Sequence, residues 1–383
     1  MKIIKHGVIS KSFDGRGAYW GTVARLPDGK IGAVWSGGRM GHVCPFGRIE
    51  MATSVDGDKF TLPSIIFDSL LDDRDAGLTA WGNKTVLTTF TLSVDYMHYV
   101  IDHPGSSLWM DAPKVDAIAN LKAIAKLHLN RITPEYQDKH IGSLLFISED
   151  GENFDEFTQL PISAPHGPIV LKNGKLFYAG RTLGKIILKG TENEDKYITW
   201  NNATLQQEIY VMQTADGKTW DDPVLIEKGE SCKDFDLHEP HAVECDNGDI
   251  LVVSRAHTDT VVGKLTLVIS RSTDGGKTFT PFETTGFLGA PPHLLKLKNG
   301  DLLLSYSRRT APLSIRARIS KDNGYTWSEE LILCDIKEQD FGYPSSVELD
   351  DGKILTAYYA SNHFTPGENI DNDGKFAYVT WEL

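Results

Sequence analysis

The sequence is poor in cysteine and in positive charge. Its 383 residues include only four cysteines, whose scattered positions fit no metal-binding spacing, so we expect reduced structural thiols and predict no metal or cofactor. Lysine and arginine number 39 against 52 aspartates and glutamates, which gives a formal net charge of −13. Basic runs are missing too, which argues against nucleic acid or an anionic membrane as a partner. A small anionic ligand needs only a local cluster of arginines.

Long apolar runs are also missing. No stretch approaches the ~18 residues of a membrane span, and the first ten residues lack the continuous apolar segment of a secretory signal. The sequence therefore predicts a cytoplasmic protein without membrane contact. It carries no visible indication of the oligomeric state.

A repeated sequence pattern dominates the chain instead. Each copy is an apolar alternating strand, a glycine turn and a second strand, and the marker glycines are Gly29, Gly82, Gly174, Gly248, Gly300 and Gly352. The last three are 52 residues apart (300−248 and 352−300). A period of roughly 40–50 residues with about four strands per unit is typical of a β-propeller. We therefore predict an all-β, six-bladed β-propeller that forms a single domain over residues 1–383. We expect residues 8–10 to pair with residues 376–381 and close the ring.

Five turns share a second pattern, Ser/Thr-x-Asp-x-Gly followed by an aromatic residue, and some copies lack one residue of it. Their aspartates are Asp56, Asp150, Asp216, Asp274 and Asp322. The carboxylate of such a turn can accept backbone N–H bonds, the glycine tolerates a positive φ, and the aromatic ring packs underneath. These turns resemble the Asp-box repeats of the sialidase superfamily. The resemblance implies a structural role at blade edges, away from the mouth of the propeller.

One segment, at about residues 101–141, interrupts the second blade. Asp111 and Pro113 resemble a helix start, and apolar residues then recur at helical spacing at Val115, Ile118, Leu121, Ile124 and Ala125. We predict one amphipathic helix in this insertion. The pattern leaves open whether it packs on the flank of the blade, forms a lid or makes an oligomer contact.

Polar residues recur where the innermost strand of each blade should begin. Nine residues before the marker glycines stand Trp20, Asp73, Pro165, Glu239, Pro291 and Tyr343. Imidazoles lie within two residues of this position at His166, His238, His241 and His293, and arginines follow at Arg39, Arg181, Arg255, Arg308, Arg309 and Arg316. A propeller brings the starts of its inner strands to one mouth. A ring of carboxylate, phenol, imidazole and guanidinium groups there favours a polar, anionic ligand.

Two stretches resemble sialidases more specifically. Residues 236–257 are similar to the stretch that carries the general-base glutamate and a substrate-carboxylate arginine, with Glu239 and Arg255 at the same separation of 16 residues (255−239). Residues 341–359 are similar to the nucleophile stretch around Tyr343. The resemblance implies a retaining exo-glycoside hydrolase in which Tyr343 is the nucleophile and Glu239 its base. Arg255, with Arg309 or Arg316, would then hold the acidic group of the substrate.

The chemistry of this pair is coherent. A tyrosine with a pKa of about 10 is a poor nucleophile on its own, but a carboxylate within hydrogen-bond reach can take its proton during attack. A neutral phenol also meets an anionic sugar without the repulsion that a carboxylate nucleophile would feel.

Two features depart from the sialidase pattern. The first blade offers Trp20 where the family has an arginine, and residues 40–48, where its acid/base aspartate would stand, contain no carboxylate. His42 or an aspartate from residues 72–75 must then act as the acid, and we take Asp73 with His42 as catalytic candidates. Candidate substrate contacts besides the arginines above are Arg39, Arg181, Asp75, His166, His241 and His293. These departures favour an acidic or neutral sugar other than sialic acid.

Two other functions remain open. Propellers rich in histidine, tyrosine and arginine also act as polysaccharide lyases, in which a neutral imidazole or a phenolate takes the C5 proton of a uronic acid while cations neutralise its carboxylate. A non-catalytic carbohydrate-binding propeller would keep the aromatics and arginines without a contact between base and nucleophile.

Overall fold

The protein folds as a six-bladed β-propeller, as the repeat predicted. The computed structural model describes residues 1–10, 17–39, 42–102, 115–185, 197–198, 208–337, 340–361 and 375–383. Its main sheets are six, each built around four antiparallel strands, and one short hairpin stands beside them. The first strands of neighbouring blades pack on each other around a central axis.

The blades follow one another along the chain, except that the first strand belongs to the last blade. Blade 1 consists of β2 (Gly17–Arg25), β3 (Ile31–Arg39), β4 (Arg48–Ser54) and β5 (Ser64–Phe67), and blade 2 of β6 (Asp72–Trp81), β7 (Lys84–Leu92), β8 (Gly142–Ser148) and β9 (Phe157–Leu160). Blade 3 consists of β10 (Ile162–Ser163), β11 (Ile169–Val170), β12 (Leu176–Thr182), β15 (Ile209–Thr214) and β16 (Val224–Leu225), with the hairpin β13 (Gly184–Lys185) and β14 (Tyr197–Ile198), and blade 4 of β17 (Asp236–Glu244), β18 (Ile250–His257), β19 (Leu265–Ser272) and β20 (Glu283–Leu288). Blade 5 consists of β21 (Pro292–Lys296), β22 (Leu302–Arg308), β23 (Ser314–Ser320) and β24 (Leu331–Asp335), and blade 6 of β25 (Asp340–Glu348), β26 (Ile354–Ser361), β27 (Lys375–Glu382) and the first strand of the chain, β1 (Lys2–Ser10). The inner strand of blade 3 is split, since β10 and β11 both pair with β12.

The two ends of the chain close the ring, as expected. Strand β1 pairs antiparallel with β27, with Val8 opposite Ala377 and Ser10 opposite Phe376. The pairing makes the start of the chain the outermost strand of blade 6 and covers the edge of β27, which would otherwise be an open template for another strand.

Apolar side chains hold the blades together face to face. Between blades 6 and 1, for example, Val23 and Trp35 share a buried cluster with Leu355 and Tyr378. Both faces of the second strands β3 and β7 are covered, so these strands read as nearly continuous buried runs.

The Asp-box turns have the predicted hydrogen bonds. In the first, Asp56 Oδ1 accepts from the backbone N–H groups of Asp58 at 2.8 Å and Lys59 at 3.0 Å, and Ser54 Oγ accepts from Gly57 N–H at 3.0 Å. The other four turns repeat the bond from aspartate to backbone. Each turn joins the third and fourth strands of its blade. This is the end opposite the start of the inner strand, so the turns lie away from the mouth.

The insertion in blade 2 is larger than expected. Its described residues form three helices between β7 and β8, namely α1 (Val94–Asp102), α2 (Val115–Leu129) and α3 (Pro134–His140), so the prediction of one helix within residues 101–141 was wrong. Helix α1 follows β7 after a single residue, and its buried Met97, Val100 and Ile101 continue an apolar stretch that hid the boundary. The expected start at residues 111–113 lies outside the described residues. Helix α3 is capped by Thr133, whose Oγ1 accepts from the N–H of Tyr136.

Among the described residues, no helix combines the length and the apolar character that a membrane span requires.

Candidate active site

Four inner strands share one backbone irregularity at the mouth. The register of β2, β6, β17 and β25 slips near the start of each strand, and each slip contains a non-glycine residue with positive φ. These residues are Trp20 at φ +45°, Asp75 at +47°, Glu239 at +47° and Tyr343 at +52°. A left-handed backbone is rare outside glycine, and such bulges turn a side chain towards a site. Each bulge therefore presents one side chain at the same level of the axis.

The structure puts Asp75, not Asp73, in the position equivalent to Glu239 and Tyr343. Blade 2 turns from its first to its second strand through two residues, whereas blades 1, 4 and 6 use five. Its first strand also runs one residue further past the bulge, so a count back from the marker glycine lands two residues early. Asp73 faces elsewhere, because its buried carboxylate accepts from Ser69 N–H and Oγ–H, both at 2.7 Å. This corrects the placement of Asp73 at the mouth.

A cavity of about 260 Å³ opens at these bulges. Six of the predicted site residues line it, namely His42, Asp75, Glu239, Arg255, Arg309 and Tyr343. The lining also includes Arg74, Phe90, Tyr96 and Tyr359, which no sequence pattern had indicated. Tyr96 comes from α1, so the helical insertion forms part of the wall.

Tyr343 and Glu239 meet directly across the mouth, although blades 4 and 6 carry them. The Tyr343 hydroxyl donates to Glu239 Oε1 at 2.5 Å, and Arg255 Nη1 donates to Glu239 Oε2 at 2.8 Å. Burial would raise the pKa of Glu239, but the charges of Arg255 and His238 and the bond from Tyr343 outweigh it and lower the pKa to about 2. Burial and the negative charges of Glu239 and Asp75 raise the pKa of Tyr343 well above its usual value. A neutral phenol thus stands beside an ionised carboxylate.

The pKa of Asp75 is shifted in the opposite direction from that of Glu239. Burial raises the pKa of its carboxyl group to about 7, because the charge of Glu239 adds to the effect and Arg74 offsets it only in part. The two carboxyl groups of one pocket therefore differ in protonation near neutral pH.

Three arginines, Arg74, Arg255 and Arg309, supply positive charge to the cavity. Arg309 approaches the Tyr359 hydroxyl at 3.4 Å and lies 5.6 Å from the centre of the Tyr343 ring. Arg74 lies 4.2 Å from the centre of the Trp20 ring, so an arginine of blade 2 reaches over the aromatic residue that blade 1 offers. Its sequence position beside Asp75 was the one available indication of its role.

The other predicted arginines do not line this cavity. Arg39 is fully buried and pairs with Asp72 at 2.7 Å. Arg181 lines a smaller neighbouring cavity and pairs with Asp236 at 3.0 Å. Arg316 pairs with Glu330 within blade 5. Arg39 and Arg316 therefore stabilise the scaffold around the pocket, and Arg181 stabilises one flank of the pocket.

The three predicted histidines lie deeper along the axis, between blades. His241 Nδ1 accepts from the N–H of Leu294 at 3.0 Å, and His293 Nδ1 accepts from the N–H of Ser346 at 3.3 Å. Their rings stack at 4.5 Å, and the edge of His166 meets both. Burial lowers the pKa of all three. They are neutral links between blades and do not line the cavity.

His42 does line the cavity and contacts Trp20 edge to face at 4.8 Å. Its Nδ1 lies 3.7 Å from Asp340 Oδ2, and burial lowers its pKa. In the part of the chain that the structure describes, no three His, Cys, Asp or Glu side chains are grouped to hold a metal ion.

Comparisons with known proteins agree with the architecture. A family model described as a BNR repeat-like domain matches residues 100–355. The chain belongs to this BNR repeat-like family. None of the curated protein sequences matches the chain.

Solved structures share the fold of this BNR repeat-like protein. A protein of unknown function from Dyadobacter fermentans is 20% identical with a TM-score of 0.74, and the match covers 100% of this chain and 99% of that chain. The NanB sialidase of Streptococcus pneumoniae is 12% identical with a TM-score of 0.62, covering 100% and 71%. A Trypanosoma rangeli sialidase solved with the inhibitor DANA is 14% identical with a TM-score of 0.58, covering 96% and 55%. At these identities the likeness establishes a sialidase-like propeller fold.

Proposed function

We propose that this BNR repeat-like protein is a retaining exo-glycoside hydrolase whose substrate carries an acidic or related sugar. The observation that carries the proposal is the 2.5 Å contact between the Tyr343 hydroxyl and Glu239, within a cavity that three arginines also line. Sialidases with the same fold support it by analogy. The proposal gives three side chains named roles.

In the first step, the Tyr343 oxygen attacks the anomeric carbon while Glu239 takes the phenol proton. Glu239 suits this role because it is ionised and already accepts that proton in a hydrogen bond. Asp75, with its pKa of about 7, gives its proton to the departing glycosidic oxygen. The step forms a glycosyl–tyrosine bond and releases the aglycone alcohol.

In the second step, Asp75 is ionised and takes a proton from water. The water oxygen attacks the anomeric carbon, the tyrosine oxygen leaves, and Glu239 returns the proton to it. Two inversions at one carbon retain the anomeric configuration. Both carboxyl groups are then back in their starting states.

The acidic group of the sugar is assigned to Arg74, Arg255 and Arg309. Guanidinium groups bind carboxylates through paired N–H donors, and they do so more strongly where water is excluded. Arg255 already donates to Glu239, so we expect Arg74 and Arg309 to supply most of the contacts to the ligand.

A panel of chromogenic acidic and neutral glycosides tests the proposal. For at least one acidic glycoside we expect turnover that retains the anomeric configuration, as monitored by proton NMR of the released sugar. Glu239→Gln and Tyr343→Phe should each lower kcat by about 10²–10⁴-fold. Binding without turnover, unchanged in Glu239→Gln, would support a non-catalytic carbohydrate-binding propeller.

A polysaccharide lyase is the second candidate, because His42 gives the cavity a neutral imidazole with Asp340 behind it. In that reaction His42 takes the C5 proton of a uronic acid beside the arginines, a double bond forms between C4 and C5, and the bond from C4 to the glycosidic oxygen breaks. Asp75 would give its proton to the departing oxygen. The product would carry a new double bond that absorbs in the ultraviolet, and His42→Ala would abolish its formation. The hydrolase remains our first choice because the lyase needs no contact between Tyr343 and Glu239.

A further inference from the structure

We infer that His257 is a positioning residue that holds the Arg255 guanidinium against Glu239. This role rests on the proposed function of the Tyr343–Glu239 pair. His257 does not line the cavity, and no sequence motif pointed to it. It acts on the pocket only through its neighbour on the same strand.

The contact between His257 and Arg255 is specific. Arg255 Nε donates to His257 Nε2 at 3.0 Å, and Arg255 Nη2 approaches the same nitrogen at 2.8 Å. The third nitrogen of the guanidinium, Nη1, donates to Glu239 at 2.8 Å. The planar group is thus fixed on one edge by an imidazole and on the other by the carboxylate.

Four groups therefore form one chain, which runs from the Tyr343 phenol through the Glu239 carboxylate and the Arg255 guanidinium to the His257 imidazole. Two residues apart on β18, Arg255 and His257 present their side chains to the same face of the sheet. A guanidinium held on one side only would be free to rotate about its long side chain. It would then lose the geometry that keeps Glu239 ionised and aimed at the phenol.

The contact also fixes the state of His257. Two N–H groups converge on Nε2, which has a single lone pair, so the proton of the neutral ring is on Nδ1. A protonated ring would turn an N–H group towards the guanidinium. On the adjacent strand β17, the ring of His238 lies 4.8 Å away and Asp236 is the register partner of His257. On β19 the register partner is the uncharged Leu265. Burial, Arg255 and His238 lower the pKa of His257 to about 4, which agrees with a neutral acceptor.

The titration of Glu239 itself provides a test that needs no substrate. Protein labelled with ¹³C at the glutamate carboxyl carbons would be titrated by NMR, with Glu239→Gln used to assign the resonance. We expect His257→Leu to raise the pKa of Glu239 by about one pH unit, since a guanidinium displaced from its carboxylate loses part of its effect. His257→Gln, whose amide oxygen can accept the same N–H groups, should restore most of the wild-type value.

His128→Leu is the matched control, because His128 makes a 2.8 Å contact to a backbone carbonyl outside the cavity and should leave Glu239 unchanged. If His257→Leu does not fold, Arg255→Lys replaces it: lysine keeps the charge but lacks the fork that spans both partners, and the pKa of Glu239 should again rise. The inference is overturned if Glu239 titrates as in the wild type in His257→Leu or, where that variant does not fold, in Arg255→Lys.

Activity separates this inference from the proposed function. If a glycoside is turned over, His257→Leu should lower kcat by about tenfold and His257→Gln should recover it, as expected for a group that orients a base. If no glycoside is turned over but the pKa of Glu239 still responds to His257, the hydrolase proposal fails and the positioning role stands.

Discussion

At the scale of single residues, the mouth of the propeller concentrates backbone conformations that most residues avoid. Trp20, Asp75, Glu239 and Tyr343 all have a positive φ, and each such residue costs about 1–3 kcal/mol, so it persists only where surrounding structure holds it. Three of the four are the groups to which we assign chemistry. The fourth, Trp20, supports the guanidinium of Arg74.

The protonation of Asp75 leads to a prediction about pH. A general acid must carry its proton, so kcat/KM should be highest below the pKa of about 7 and should fall as the pH rises through it. Asp75→Asn should lose about 10²–10⁴-fold on glycosides with poor leaving groups, and much less where the leaving group needs no proton. Rate profiles on both kinds of glycoside measure this.

Asp73→Asn is the control, because the Asp73 carboxylate is bonded to Ser69. The kcat/KM of Asp73→Asn should fall with rising pH in the same way as that of the wild type. An unchanged alkaline limb in Asp75→Asn would instead assign the acid to another group, such as His42.

At the scale of elements, neighbouring inner strands are linked side chain to backbone around the axis. His241 accepts from Leu294, His293 from Ser346, and the Ser345 hydroxyl from the N–H of Val23 at 3.2 Å. These bonds join blades 4 to 5, 5 to 6 and 6 to 1. In each of these hydrogen bonds, the accepting side chain lies two residues after the mouth position of its own blade, and the N–H donor belongs to the next blade.

These links predict a loss of stability in mild acid. The pKa of His241 falls from 6.5 to about 3 on folding, so the unfolded chain binds a proton first as the pH drops below 6.5. The free energy of unfolding should therefore decrease from pH 6.5 towards pH 3, by about 2 kcal/mol at about pH 5 for this residue alone. Urea unfolding at about pH 7.5 and about pH 5 measures it.

His241→Gln should keep the bond to Leu294 and lose this share of the pH dependence. The Asp-box carboxylates do not obscure it, because they titrate below their usual value of 3.8. An identical pH dependence in wild type and His241→Gln would contradict a neutral, buried His241.

Blades 2 and 3 approach each other through glycine. A Cβ at Gly77 would lie 2.4 Å from the backbone nitrogen of Gly167, and backbone cannot move aside as a flexible side chain does. Gly77→Ala should therefore destabilise the protein by about 1–3 kcal/mol and loosen the flank of the cavity that Asp75 occupies. A urea midpoint equal to that of the wild type would count against a close approach at Gly77.

At the scale of the whole molecule, the ring depends on a strand from the far end of the chain. Strand β1 covers β27, so blade 6 is complete only when both ends of the protein are in place. The same blade carries Tyr343 on β25. Closure of the ring and placement of the proposed nucleophile therefore depend on the same blade.

A variant that lacks residues 1–10 should leave the edge of β27 open. We expect a lower urea midpoint and concentration-dependent self-association, because an unpaired strand edge recruits other strands. Unfolding curves and gel filtration at several concentrations measure both. Lys2→Ala, which removes only an exposed ion pair with Glu382, is the control and should behave as wild type. A truncated protein that stays monomeric with an unchanged midpoint would show that β1 is dispensable.

The sequence by itself determined the repeat, and through it the architecture. The six strand–glycine–strand repeats and the five Asp-box turns are local patterns, because the physics of hairpins and turns acts over a few residues. The number of blades, the chemistry of the turns and the closure of the ring could therefore be predicted from the sequence. The resemblance to sialidases implied the pairing of Tyr343 with Glu239, and the repeat put both residues at equivalent positions of their blades.

Only the tertiary structure decided which side chains reach the cavity. A shorter turn and a longer first strand in blade 2 moved the mouth position from Asp73 to Asp75, and Arg74 came to lie over a tryptophan from another blade. The histidines that a count along the chain put at the mouth lie between blades, where backbone N–H groups need acceptors. Spacing along a chain fixes the register within a repeat, whereas the direction of a side chain depends on a bulge, a φ angle and a neighbour distant in sequence.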